Sequence, residues 1–200
     1  AAEKRKKFDY KYGWAIIIGS VPIALVGLLF KDEIETVLRS LWFVAIGLIV
    51  WSGVMWLADR YGKATRPEKS TTWKDALIIG AVQVLSLIPG VSRSGATMSA
   101  GLLRGFDRVA ATKLSFFLGI PALVAAGALQ AVTQYQHIAD GVGWFNTLLA
   151  TVVSFLVGYA AIAWLLKFVA SNDFSLFIWY RLGLGAVLIG LLVTGVLAAV

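Results

Sequence analysis

Apolar residues in this chain come in long blocks separated by short polar stretches. Five blocks approach or exceed the roughly 20 residues that cross a bilayer as a helix. They are predicted at residues 12–30, 41–58, 109–132, 144–168 and 177–200. Aromatic residues stand near several of their ends (Tyr10, Tyr12 and Trp14; Trp42; Trp144 and Phe145; Trp179 and Tyr180), where interfacial anchors sit. Pro22 and Pro121 fall inside spans and predict kinks, which neighbouring helices can accommodate.

A sixth block, residues 76–103, is built differently. Its first part, 76–88, has 13 residues and is too short to cross. Pro89-Gly90 then interrupts it, Ser92, Arg93 and Ser94 follow, and the second part, 95–103, is shorter still. The block is either one broken span or a re-entrant hairpin that returns to the side it entered from.

Loop charges separate these readings. Lys4, Arg5, Lys6, Lys7 and Lys11 precede the first span, and Arg60, Lys63, Arg66, Lys69 and Lys74 follow the second. Between them Lys31, Asp32, Glu33, Glu35 and Arg39 form a mildly acidic loop suited to the outside. Arg104, Arg108 and Lys113 come after the broken block, Lys167 and Arg181 flank the last connection, and 134–143 has no Lys or Arg. If 76–103 spanned, the basic loop would lie outside and the loop without Lys or Arg inside, two violations of the positive-inside rule. A hairpin removes both. Non-helical backbone at membrane depth requires burial in protein or a wet cavity, so the tip is expected to line one.

Arg93 gives that tip its chemistry. A charge at membrane depth costs about 2.5–3.5 kcal/mol by insertion scales and usually marks function. Its fork can grip two phosphate oxygens at once. Pro89 cannot extend the first half-helix and Gly90 permits a reversal, so a second half-helix is expected to start near Ser92–Ser94. Its free N–H groups, its positive dipole end, the two hydroxyls and Arg93 make an anion site of phosphate type. Broken half-helices aimed at the midplane also occur in transporters. The alternative role for Arg93 is structural, capping carbonyls of the other half-helix.

Gly95, Ala96, Ser99 and Ala100 form small-xxx-small pairs that read as packing positions, and Thr97, one turn from the tip, is the exception that could face a ligand. Gln83 either bonds a substrate oxygen or ties the hairpin together. His137 falls in a polar loop, and Asp32, Glu33 and Glu35 read as a solvated loop rather than a metal cluster. Arg181, near a span end, reads as a side chain snorkelling to the interface, and Asp107 as local charge balance for Arg104 and Arg108.

Composition agrees with the block pattern. The chain has 200 residues, 59% hydrophobic and 14% charged, with a mean hydropathy of +0.81. This is an all-α integral membrane protein, a polytopic helical bundle with a re-entrant helical hairpin in a single transmembrane domain. With no cysteine, disulfides and thiolate metal sites are excluded. The net charge of +7 is spread over short loops, a topology signal rather than a nucleic-acid face.

The run Gly80-Ala81-Val82-Gln83-Val84-Leu85-Ser86-Leu87-Ile88-Pro89-Gly90-Val91-Ser92-Arg93-Ser94-Gly95-Ala96-Thr97 resembles the second signature of the undecaprenyl-diphosphate phosphatases, the bacitracin-resistance family. Ser115-Phe116-Phe117-Leu118-Gly119-Ile120-Pro121 and Phe177-Ile178-Trp179-Tyr180-Arg181 also look like that family, and the resemblance runs essentially end to end. It implies a fold of spans and two re-entrant hairpins in inverted repeats whose tips meet near the midplane. The implied activity is removal of the terminal phosphate from undecaprenyl diphosphate, recycling the lipid carrier for cell-wall synthesis. The resemblance assigns diphosphate binding to Arg93, with Ser92 and Ser94 in the same pocket, and Gln83, Gly90, Gly95 and Thr97 are expected to complete the substrate contacts.

The family's Glu-rich motif and its Ser-Ser-Thr-Gly-His motif have no counterpart here. The chain also begins without an initiator Met and reads as a loop entering a span, so it is expected to be a fragment lacking the N-terminal repeat and inactive alone. A divalent metal, Mg or Ca, is expected with ligands mainly from that repeat. Expected partners are the polyprenyl diphosphate lipid, membrane lipid and a second copy in a homodimer, with no nucleic acid. The expected location is the bacterial inner (cytoplasmic) membrane, with the site facing the periplasm. The competing class is a transporter or flippase that moves the phosphorylated lipid without hydrolysis.

Overall fold

The computed structural model describes residues 2–36 and 40–198, with the side chains of residues 2, 4, 5, 7, 35 and 137 outside the description. Arg39 and the last two residues of the predicted fifth span therefore lie outside the described residues, as do the His137 and Glu35 side chains. Five helices are long and apolar enough to cross a membrane. They are α1 (Ala2–Leu29), α3 (Leu41–Tyr61), α6 (Arg108–Thr133), α8 (Trp144–Val169) and α9 (Ser175–Val193). The short α2 (Lys31–Glu35) and α7 (Tyr135–His137) sit in connections. Between α3 and α6 lie two half-helices, α4 (Trp73–Gln83) and α5 (Arg93–Leu103), joined through a 3-10 turn at Val84–Leu87. No β-strand occurs among the described residues.

The predicted last span, 177–200, is corrected at both ends. α9 starts at Ser175, whose N–H donates to Asp173 Oδ1 at 3.0 Å, and it stops at Val193. Gly195 there takes a φ of +72°, and Val196 N–H turns back to the Leu191 carbonyl at 3.1 Å. A glycine in the left-handed region is a common way to end a helix, because a Cβ there is strained. Periodicity does not register such a stop while apolar residues continue beyond it.

The half-helices have 11 residues each, about 16 Å at 1.5 Å per residue, roughly half a hydrocarbon core. Each begins with a polar cap. Thr72 and Asp75 form a reciprocal capping box at α4, and Ser92 Oγ accepts from Gly95 N–H at 3.2 Å at α5. The chain leaves this hairpin beside the point where it entered. Asp75, 1% exposed, receives Arg66 Nη2 at 2.7 Å and Arg104 Nη2 at 2.8 Å. Burial alone pushes the Asp75 carboxyl up, but the hydrogen bonds from Arg66, Thr72 and Arg104 outweigh it and hold it below the usual carboxylate range.

Other polar contacts collect at the same end. Arg108 Nε meets Asp59 Oδ1 at 2.7 Å, Phe174 N–H donates to Asp59 Oδ2 at 3.2 Å, and Lys113 pairs with Glu68 at 2.9 Å. Asp107, read from sequence as a balancing charge, instead caps α6 by accepting from Ala110 N–H at 2.8 Å. The basic loops that the positive-inside rule places together thus share one end of the bundle.

Contacts between backbones hold the hairpin in place. Gly80 on α4 lies directly against the Gly19 carbonyl of α1, and Gly90 at the tip against the Val44 carbonyl of α3. A Cβ at Gly47 would come 2.6 Å from the Pro89 oxygen, and one at Gly101 2.9 Å from the Ala111 side chain of α6. Small residues permit such approach where lipid supplies no hydrophobic drive for helix association. Ile79, Leu102, Phe106, Leu114 and Leu118 fill the core around the hairpin. By contrast α8 buries only Val169.

Candidate anion site at the hairpin tip

The tip is a tight reversal from Ile88 to Ser92. Gly90 has φ +90°, which glycine adopts without strain. Ser92 has φ +69°, which is strained for a residue with a Cβ and therefore has to be held by its surroundings. Here the Ser92 hydroxyl caps α5 and lies 3.3 Å from Ser94 Oγ. With Ala96 N–H on the Ser92 carbonyl and Gly95 N–H on its hydroxyl, the first N–H groups of α5 are left to point out of the helix end.

Arg93 and Arg181 divide the two roles that sequence reasoning left open for one arginine. Arg181, read as snorkelling, turns inward. Its Nη2 donates to the Gly90 carbonyl at 2.7 Å and reaches the Val91 carbonyl at 3.3 Å, while Nε donates to Ser52 Oγ at 3.3 Å. Ser52 spends its own hydrogen on the Leu48 carbonyl at 2.6 Å, so it presents a lone pair to the guanidinium. Arg181 is thus the arginine that caps carbonyls. The reason snorkelling fails is positional: with α9 starting at Ser175, Arg181 lies nearly two turns inside the helix.

Arg93 makes no side-chain hydrogen bond or salt bridge among the described residues, and its Nη1 is buried without a partner. The guanidinium rests on Gly119 of α6, where any Cβ would overlap it. Sequence reading did not single out Gly119 as part of the site. The available signal was a glycine two residues before Pro121, directly after the bulky run Phe116-Phe117-Leu118.

The structure distributes the other predicted site residues over two sides of the hairpin. Ser92, Ser94 and Gly95 line a cavity of about 150 Å³ together with Arg181, Met55, Met98, Leu165, Phe174, Phe177 and Tyr180. Thr97 is fully buried on the other side, its Oγ1 2.6 Å from Ser115 Oγ and 2.9 Å from the Arg93 carbonyl, so it joins α5 to α6. Gln83 is also fully buried, and neither atom of its amide has a partner. It does not tie the two half-helices together. A buried amide with open hydrogen-bonding capacity stands at the last turn of α4.

This arrangement can hold an anion. The Ser92 and Ser94 hydroxyls, the Arg181 guanidinium and the α5 N-terminus border one cavity, while the Arg93 guanidinium lies against Gly119 of α6. Groups of this kind would stabilise charge on a phosphoryl group. Nucleophilic use of Ser92 or Ser94 would need an adjacent base, and the cavity offers none: its remaining walls are apolar or aromatic. Nor does this donor set fit a divalent cation. Guanidiniums repel it, and no group of three or more His, Asp or Glu comes together among the described residues.

Residues 1–187 match the model of the family described as bacitracin resistance protein BacA. The chain is 64% identical over 195 residues to undecaprenyl-diphosphatase 3 of Frankia casuarinae, covering 98% of this chain and 70% of the relative. It is 55% identical over 204 residues to the undecaprenyl-diphosphatase of Cutibacterium acnes, covering 98% and 72%. For undecaprenyl-diphosphatase 1 of Streptomyces avermitilis the identity is 51% over 197 residues, covering 98% and 70%.

Proposed function

The chain belongs to the bacitracin resistance protein BacA family, and on that premise we propose that it acts in dephosphorylation of undecaprenyl diphosphate to undecaprenyl phosphate. The observation that carries the proposal is 64% identity across 98% of the chain to a protein named for that hydrolysis. The geometry supports it: the hairpin tip offers cationic and hydroxyl groups of the kind a diphosphate needs, at the depth where the half-helices end.

In this reading Arg93 grips the diphosphate, since its fork is the one without a protein acceptor. Ser92 and Ser94 bond its oxygens beside the α5 N-terminus, Gly90 and Gly95 let the backbone approach, and Gln83 completes the polar contacts. These groups bind the substrate and stabilise developing charge on the transferred phosphoryl. The described residues supply neither a base for water nor the carboxylates of a Mg or Ca site, so no step is routed through either.

We further propose a multi-pass protein of the bacterial inner membrane, with α4 and α5 re-entering from the cytoplasmic side and the head group arriving from the periplasm. The 134–143 loop without Lys or Arg and the charged end support that orientation.

The test is phosphate release from undecaprenyl diphosphate by the native protein in detergent with a divalent metal, alongside Arg93→Ala. Release that the substitution abolishes is expected. A folded protein that binds the lipid but releases no phosphate would overturn hydrolysis and favour translocation.

A further inference from the structure

α3 and α9 face each other with two adjacent stripes of side chains. Met55 on α3 and Phe177 and Arg181 on α9 point to the tip cavity. One position further round the helices, Ile49, Ser52, Gly53 and Trp56 on α3 and Ile178, Trp179 and Leu182 on α9 line a separate groove of about 400 Å³. The α3 residues recur at i, i+3, i+4 and i+7, the spacing of one helix face. Ser175, at the start of α9, also lines the groove, and apart from the two serines its walls are apolar or aromatic. Ser52 lines the groove, Arg181 lines the cavity, and the 3.3 Å hydrogen bond between them is the shared wall.

We infer that this groove is the binding site for the part of the polyprenyl chain nearest the diphosphate; the inference rests on the substrate class proposed above. Continuity is the first reason. A diphosphate bonded by Ser92 and Ser94, in the cavity that Arg181 also lines, puts the start of its hydrocarbon chain near the Arg181–Ser52 wall, one side chain from the groove. Shape is the second. Gly53 leaves the floor open, because a Cβ there meets nothing within 4 Å, while Trp56 and Trp179 offer broad apolar ring surfaces.

Direction is the third reason. Gly47 packs on the tip and Asp59 marks the charged end. From Ile49 to Trp56 the groove therefore runs about 10 Å from tip depth toward the charged end. A head group that reaches the tip from the opposite end leaves its chain pointing that way.

Gly53→Trp fills the groove without touching the hairpin. The control is Gly158→Trp on α8, another helical glycine with nothing within 4 Å. With undecaprenyl diphosphate, Gly53→Trp is expected to raise KM about tenfold or more with kcat within about twofold, and Gly158→Trp to match the unsubstituted protein. An unchanged KM for Gly53→Trp, or an equal rise in both variants, overturns the assignment.

A second measurement does not depend on turnover. Undecaprenyl diphosphate carrying a diazirine on the isoprene units next to the diphosphate is expected to label 49–56 and 178–182. Unlabelled substrate should compete, whereas phosphatidylglycerol should not. Labelling elsewhere, or equal competition by the phospholipid, assigns the groove to bulk lipid. A protein that labels as expected yet releases no phosphate counts against hydrolysis alone and leaves the groove standing.

Discussion

Arg181 and Gly90 are 91 residues apart in the chain, and the guanidinium of one donates to the carbonyl of the other at 2.7 Å. Through this contact the last helix holds the turn that carries Ser92 and Arg93. Arg181→Ala leaves the Gly90 and Val91 carbonyls without that donor, a loss of about 1–3 kcal/mol. The expected outcome is a lower thermal unfolding midpoint in detergent. Arg181→Lys recovers only part of it, because an ammonium cannot reach Ser52 and Gly90 together as the fork does. An unchanged midpoint in the alanine variant would show that the tip holds itself.

Gly119→Ala tests the seat of Arg93. The added methyl overlaps the guanidinium, so the fork has to move, and displacement of a binding group by about 1 Å can cost about 100-fold in rate. Helix content by circular dichroism is expected to be retained, since alanine favours a helix over glycine by about 1 kcal/mol. Phosphate release equal to that of the unsubstituted protein would contradict the placement of Arg93 on α6.

Asp75 gives a pH dependence with a definite sign. Its folded-state pKa lies below the ordinary carboxylate value, so the stability it contributes is fully present above about pH 4 and declines as pH falls through the lower folded value. Asp75→Asn leaves Arg66 and Arg104 unpaired at the hairpin base. A loss of about 2–3 kcal/mol is expected, less than for a fully buried pair because the arginines are 29% and 42% exposed. The stability difference between the two proteins should be constant from pH 7 to pH 5 in detergent melts and shrink below about pH 4. A difference that grows with acid would reverse the assignment.

Hairpin topology has its own readout in cysteine accessibility. Lys74→Cys at the entry, Leu103→Cys at the exit and Gly141→Cys in the loop without Lys or Arg are expected to react with an impermeant maleimide in oriented vesicles. The first two should label from one side and the third from the other. Opposite sides for 74 and 103 would make the block a broken span.

Much of the helical plan was legible in the order of residues. Four of the five long apolar helices lie within a few residues of the predicted blocks, apart from the longer N-terminal extension of α1. The half-helix α4, however, stops at Gln83, short of the predicted end at Ile88, and reaches the Pro89-Gly90 reversal through a 3-10 turn. Arg181 was misread because its meaning depends on where α9 begins. Ser175 sets that start two residues before the apolar run suggests, and the shift changes Arg181 from an interfacial side chain to an interior one. Gly119 stood out only as a glycine two residues before Pro121, which says nothing of an arginine from another helix resting on it. Thr97, chosen for its nearness to the tip, faces Ser115 because α5 packs that side against α6.

The sequence by itself determined the helical membrane class, the number of long apolar helices and the interruption of the sixth apolar block, because hydrophobic length and proline breaks act within a window of about 20 residues. It also placed an arginine, Arg93, beside the Pro89-Gly90 reversal. Only the tertiary structure decided which arginine caps the turn, which one is left without an acceptor, and which helix lacks the Cβ that makes room for it. Those outcomes depend on backbone approach and hydrogen-bond geometry between residues far apart in the chain, where a difference of one methyl group or one helical turn changes the partner.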